Sequence, residues 1–165
     1  MTYLSRQMIA LILGASFSVG CFGKNNKANL GIVPIGGLPA ALDQFISTDC
    51  GGDRSFSDCS AVDAEGKEYA FFNGALVRVS ARVGKGRNSI RLPLGMKFGE
   101  DIKRARAKVV RQLGIKLVAT VSQDGVVVYA SGFVIKSKDQ WYYSIELISD
   151  SQNRLVEIVE RANTP

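Results

Sequence analysis

The sequence predicts an α+β fold in which an antiparallel four-stranded meander is covered by one basic amphipathic helix and preceded by a disulfide-linked β-hairpin region. Three observations carry that expectation. Apolar residues at spacings of three and four recur from Ile102 to Leu113, the period of a buried helix face. After Gly114 the pattern changes to runs of strand-formers parted by short polar connections, as antiparallel neighbours require. Ahead of the helix, Cys50 and Cys59 flank a turn-prone stretch, and Asn73-Gly74 separates two further runs of strand-formers.

In chain order, residues 1–20 have the plan of a secretory signal peptide. Arg6 is the only charge before an apolar run over 8–19, which ends in Ser18-Val19-Gly20 ahead of Cys21. That run is shorter than the ~20 apolar residues a membrane span needs. The residues before Cys21 look like a bacterial lipobox, in which the cysteine is lipidated and becomes the mature N-terminus. Gly20 fits that pattern, whereas Ser18 stands where an aliphatic residue is usual, and ordinary cleavage near Gly20 accounts for the same residues. The protein is therefore expected to be exported: periplasmic, lipid-anchored at an outer membrane through Cys21, or secreted.

Residues 21–47 read as a tether, since Gly, Asn and Lys dominate their first half and Pro34 and Pro39 interrupt it. A single α+β domain is expected over 48–165. Cys50 and Cys59 bracket Gly51-Gly52-Asp53-Arg54, and in an oxidising compartment they are expected to form a disulfide, which leaves Cys21 over. Closing so short a loop stabilises a fold by roughly 2–3 kcal/mol in the chain-entropy model. Strands are expected over 59–62, 68–72 and 76–83, with Asn73-Gly74 as a tight hairpin turn. Val77, Val79 and Ala81 alternate with Arg78, Ser80 and Arg82, which gives that strand one buried and one wet face.

The helix starts after Gly99, where Glu100 and Asp101 complement the positive end of its dipole. Ile102, Ala105, Val109 and Leu113 line its buried side, and Gly114 ends it in a left-handed cap. Lys103, Arg104, Lys108 and Arg111 lie outward. Arg106 falls inside the apolar arc, where either its head snorkels out or it meets an acid from the sheet. The meander follows over 115–121, 126–136, 141–148 and 154–159. Trp141, Tyr143, Ile145 and Leu147 are expected under the helix, while the apolar residues of 154–159 suit a helix side as well as a strand.

Leu92-Pro93-Leu94-Gly95-Met96-Lys97-Phe98-Gly99, the helix ending in Leu113-Gly114, the Trp141-Tyr142-Tyr143 run and the closing Asn153-Arg154-Leu155-Val156-Glu157-Ile158 resemble a group of bacterial envelope proteins. That group, the small outer-membrane-assembly lipoproteins and the β-lactamase inhibitory proteins, covers one face of an antiparallel sheet with helices. The resemblance spans about the last 70 residues and implies a non-enzymatic accessory or inhibitor-like role. It carries over no functional residue. The chain also departs from the pattern, because Ile115 enters a strand where those proteins commonly place a Pro and a second helix.

Chemistry is constrained by the absence of histidine, which removes the usual metal ligand, the commonest general base and Ser-His or Cys-His nucleophile systems. Gly84-Lys85-Gly86-Arg87-Asn88-Ser89 lacks P-loop spacing, and Ser137-Lys138 has no oxyanion-forming turn beside it. No cofactor or metal is expected. Charge is the distinctive feature: between Arg82 and Lys116 stand eleven basic residues and two acidic ones, in a chain of net charge +6. Lys85, Arg87, Lys103, Arg104, Lys108 and Arg111 are expected either as an anion or partner surface, facing an acidic envelope protein or an anionic surface, or as a solvated face that keeps a structural surface component with no specific ligand in solution. Nucleic acid is not expected of an exported protein, and Phe98 is the one aromatic among the charges. Membrane contact is expected only through lipid on Cys21. Tyr142 or Phe71 would supply an exposed aromatic beside the helix.

Overall fold

A computed structural model describes residues 29–39, 42–50, 58–85, 90–122, 124–137 and 140–163. Its strands are β1 (Phe45–Thr48), β2 (Cys59–Asp63), β3 (Glu68–Phe72), β4 (Ala75–Arg82), β5 (Val118–Val121), β6 (Val127–Ala130), β7 (Ile135–Lys136), β8 (Tyr142–Ser149) and β9 (Leu155–Ala162), with one α-helix, α1 (Ile102–Leu113), between β4 and β5. The fold is α+β, as the sequence predicts. The stretches expected as four consecutive strands pair in succession, β5 with β6, β6 with β8 and β8 with β9, but within a larger sheet. All nine strands join one antiparallel sheet in the order β1-β2-β3-β4-β9-β8-β6-β5, with β7 also pairing to β8.

The junction is the β4–β9 pair, which sets Arg78 opposite Arg161 and Arg82 opposite Glu157. No local signal announces it, because its partners lie some eighty residues apart. The expected strand over 126–136 is also two strands. Ser131 interrupts it: its amide donates to the Ile145 carbonyl at 3.0 Å and its hydroxyl accepts from the Ile145 amide at 3.0 Å. Gly132 then turns the chain at φ 69°, so β6 and β7 pair with successive stretches of β8.

The alternation in β8 holds. Tyr143, Ile145 and Leu147 are buried on the face that carries α1, beside Ile158 and Ala162 of β9. Ile102, Ala105 and Val109 of α1 complete that core. The tight turn at Asn73-Gly74 forms with both residues at positive φ, Phe72 pairing Ala75. The segments 29–39 and 42–47, expected in the tether, are instead part of the packed fold, the second entering β1 with Phe45 buried. Leu30 and Ile35 are 1% exposed, the Gly36 amide donates to the Leu76 carbonyl at 2.8 Å, and the Leu76 amide returns to Gly37 at 3.0 Å. Gly36, at φ 86°, lies so close to the Trp141 indole that a Cβ would stand 2.2 Å from the ring. Glycine-rich composition hid this, for two apolar side chains are enough to dock a short segment whose backbone bonds to a strand end.

The disulfide forms between Cys50 and Cys59 and ties the end of β1 to the start of β2. No helix among the described residues is long and apolar enough to cross a membrane. Cys21 and Arg87 lie outside the described residues.

Candidate functional site

The helix is fixed at both ends before it offers any surface. Asp101 caps it, its side chain accepting from the Lys103 amide at 2.8 Å, and Gly114 closes it at φ 70°. Residues 99–102 are also bonded to the head of β9: the Gly99 amide donates to the Leu155 carbonyl, the Leu155 amide to Glu100, and the Ile102 amide to Asn153. Glu100 thus does not serve the helix dipole. Its side chain accepts from the Lys97 amide at 2.9 Å and pairs with Lys108 at 2.7 Å.

Lys108 is accordingly withdrawn from the expected anion surface. Besides Glu100, its ammonium donates to the Gly95 carbonyl at 2.7 Å, and with the Gln112 amide bonded to the Leu94 carbonyl it ties α1 to the Pro93–Gly95 turn. Lys85 is also occupied, pairing with Glu68 at 2.9 Å. Arg104 is exposed but stands outside the groove described next.

Past Gly114 the chain doubles back along α1, and a groove of about 570 Å³ opens between the two. Lys103, Arg106, Ala107, Val110 and Arg111 line it from the helix, Lys116 and Leu117 from the approach to β5. Its charged lining is four cations and no carboxylate. Among the described residues none of the four has an ion pair, whereas Lys67, Arg78, Arg82, Lys85, Lys108 and Arg161 all do. The floor is apolar.

Arg106 follows neither sequence expectation. Its guanidinium carbon lies 4.4 Å from the centre of the Tyr129 ring on β6, an arrangement worth about 0.5–2 kcal/mol, and its Nε is buried with no hydrogen-bond partner. Stacking resolves how a cation sits inside an apolar arc without an acid, because the ring face supplies the negative potential. Of the expected surface residues the groove therefore unites Lys103 and Arg111. Arg106 and Lys116 are additions. The signal for Lys116 was the cap at Gly114, which returns the next residues to the helix side. Neither expected aromatic stands there: Phe71 is in the core at 3% exposure, and Tyr142 is half exposed on the face opposite Tyr143.

Other polar clusters are committed to holding the fold. Asp63, 4% exposed, accepts from the amides of Glu65 at 2.9 Å and Lys67 at 3.0 Å and from the Tyr69 hydroxyl at 2.7 Å. The Tyr69 oxygen accepts in turn from the Ile32 amide at 3.2 Å, and burial followed by the Asp63 hydrogen bond raises the phenol's pKa far above its ordinary value. Glu160, 1% exposed, accepts from the Leu30 amide at 3.0 Å. Burial lifts its pKa to about 8, against the Leu30 hydrogen bond and the charge of Lys67, which pull it down. Asp49, Cys50 and Cys59 come together, but the disulfide uses both sulfurs, and Asp49 accepts from the Ser60 amide and, at 2.9 Å, from its hydroxyl. A second hollow of about 260 Å³, on the sheet between β2, β3 and β4, holds Glu68 and Arg78, each already paired.

Comparison with protein-family models, curated proteins and solved structures returns no match to this chain.

Proposed function

We propose that the protein is an exported, non-enzymatic binding module that holds an acidic partner in the groove between α1 and the segment that leads into β5. The observation that carries this reading is the lining itself: Lys103, Arg106, Arg111 and Lys116 converge around Ala107, Val110 and Leu117 without a carboxylate. Cations packed together without counter-charges repel one another, and a groove with a low-dielectric floor concentrates their field on whatever anion enters. The buried acids of the molecule are engaged in hydrogen bonds that fasten segments to the sheet, which supports a binding rather than a catalytic role. Export is supported by the signal-like residues 1–20 and by the disulfide, which suits an oxidising compartment. The resemblance to outer-membrane-assembly lipoproteins and β-lactamase inhibitory proteins points the same way, to an accessory or inhibitor-like module, lipid-anchored through Cys21 or released.

The test uses three anionic probes, polyglutamate, phosphatidylglycerol vesicles and a sulfated polysaccharide, at 50 mM and 300 mM salt. At least one is expected to bind at low salt and weaken at high salt. Lys103→Glu with Lys116→Glu should weaken it at least tenfold, while Lys136→Glu, on β7, should leave it within about twofold. Equal binding by the double variant, or no binding by any probe, refutes the groove.

A further inference from the structure

Resting on that groove, we infer that its occupant is an extended acidic peptide segment that adds to the sheet as a strand along the free edge of β5. β5 is the last strand of the sheet, and among the described residues nothing pairs with its outer edge. All four of its residues are exposed, Val118 at 66% and Val121 at 71%. Exposed edges are normally blunted by a charge, a proline or a bulge, and Val118-Ala119-Thr120-Val121 has none of these. The opposite edge, β1, is guarded: it carries a register shift between Phe45 and Ser47 and runs into Asp49 and the disulfide.

The phase of β5 is set by its hairpin with β6. The Ser122 amide donates to the Val126 carbonyl at 2.9 Å. In an antiparallel ladder bonded pairs alternate with unbonded ones, so Thr120 and Val118 also bond to β6, opposite Val128 and Ala130. The backbone groups of Ala119 and Val121 therefore point to the open side, ready to pair with an incoming chain.

The same phase selects the peptide's chemistry. Ala119 lies opposite Tyr129, the ring on which Arg106 stacks, so the face of β5 carrying Ala119 and Val121 is the one turned toward α1, beside the groove that Arg106 lines. A strand added beside β5 would turn every second side chain to that face. Those side chains would meet Lys103, Arg106, Arg111 and Lys116 around an apolar floor, which calls for carboxylates interspersed with small apolar residues. A second copy fits less well, because the edge it would offer, 116–122, contains no carboxylate. A lipid surface would satisfy the cations but not the amides.

The experiment uses a fluorescent octapeptide alternating Glu with Val, two versions N-methylated at alternate residues in either phase, and a version with Lys for Glu. The parent is expected to bind, one N-methylated phase to lose at least tenfold and the other to bind as the parent does, and the Lys version to fail. Ala119→Pro removes an outward amide without touching the bonds to β6; it should keep its melting temperature within a few degrees and lose peptide binding. If both N-methylated phases and Ala119→Pro bind normally while Lys103→Glu with Lys116→Glu still abolishes binding, strand addition is wrong and the groove stands. If charge reversal leaves peptide binding intact, both readings fall. Binding to phosphatidylglycerol vesicles that Ala119→Pro leaves unchanged, with no peptide binding, replaces the peptide by a lipid surface. Dimerisation at the working concentration that Ala119→Pro abolishes replaces it by a second copy.

Discussion

The two ends of the sheet are built on opposite plans. From β1 to β4 the described residues are cross-tied: a disulfide joins β1 to β2, Asp63 gathers two amides and a phenol, and the segment 29–37 lies over the core with Leu30 and Ile35 fully buried. From β5 to β7 the strands are short and half covered or exposed, the edge is bare, and among the described residues the neighbouring cations have no ion pair. Both halves share β8 and β9 as a common wall. The difference teaches where this molecule keeps its rigidity and where it keeps unsatisfied groups. Binding surfaces are commonly drawn from the less stabilised part of a fold that the rest of the structure holds in place.

The strongest way to break this contrast is through Glu160, the buried acid of the closed half. Its carboxyl titrates near 8 in the folded chain and near 4.5 when exposed. The folded state therefore holds a proton that the unfolded state releases between those values. Its stabilising share is complete below about pH 4.5 and is lost as pH rises to about 8, a difference on the order of 5 kcal/mol if the whole shift is realised. Thermal melts from pH 5 to pH 8.5 should fall steadily for the wild type, and Glu160→Gln should flatten that slope. An unchanged slope in the variant would remove Glu160 from the account of what closes this half.

A direct comparison comes next in size. Ile145→Ala, at a fully buried position of β8, should cost about 2–5 kcal/mol in denaturant melts. Val121→Ala, at the exposed edge, should cost under about 1 kcal/mol despite removing atoms from a strand. Comparable losses would mean that the open half is packed more tightly than its exposure indicates.

Cys50→Ser with Cys59→Ser should cost about 2–3 kcal/mol, and hydrogen exchange should show where. Faster exchange confined to β1 and β2, with β5 and β6 unaltered, sharpens the division. A uniform increase would show that the two halves open as one unit.

Much of this was legible because it is local. Asn73-Gly74 forced its turn, Gly114 its cap, and the alternation of Tyr143, Ile145 and Leu147 survived into β8 unaltered. The apolar residues of β9 were ambiguous between helix and strand, and pairing with both β4 and β8 decided them. What sequence could not carry were agreements between distant residues: β4 meeting β9, Leu30 meeting Glu160, Arg106 finding Tyr129 rather than an acid. Charge counting overestimated the helix surface for the same reason. Lys108 and Lys85 look free in the sequence, and each is neutralised by a carboxylate that only the fold brings near. Lys116 was overlooked because it follows the helix rather than belonging to it.

The bond between the Leu30 amide and Glu160 also makes the fold's grip on its leading segment a chemical quantity. A pull on the chain ahead of Leu30 reaches this contact before those at Ile32 and Gly36. That bond is made to a carboxyl which burial keeps protonated at neutral pH, although the Leu30 amide itself favours the charged form. The leading segment is thus fastened at the one place described where alkali would put a charge inside the fold.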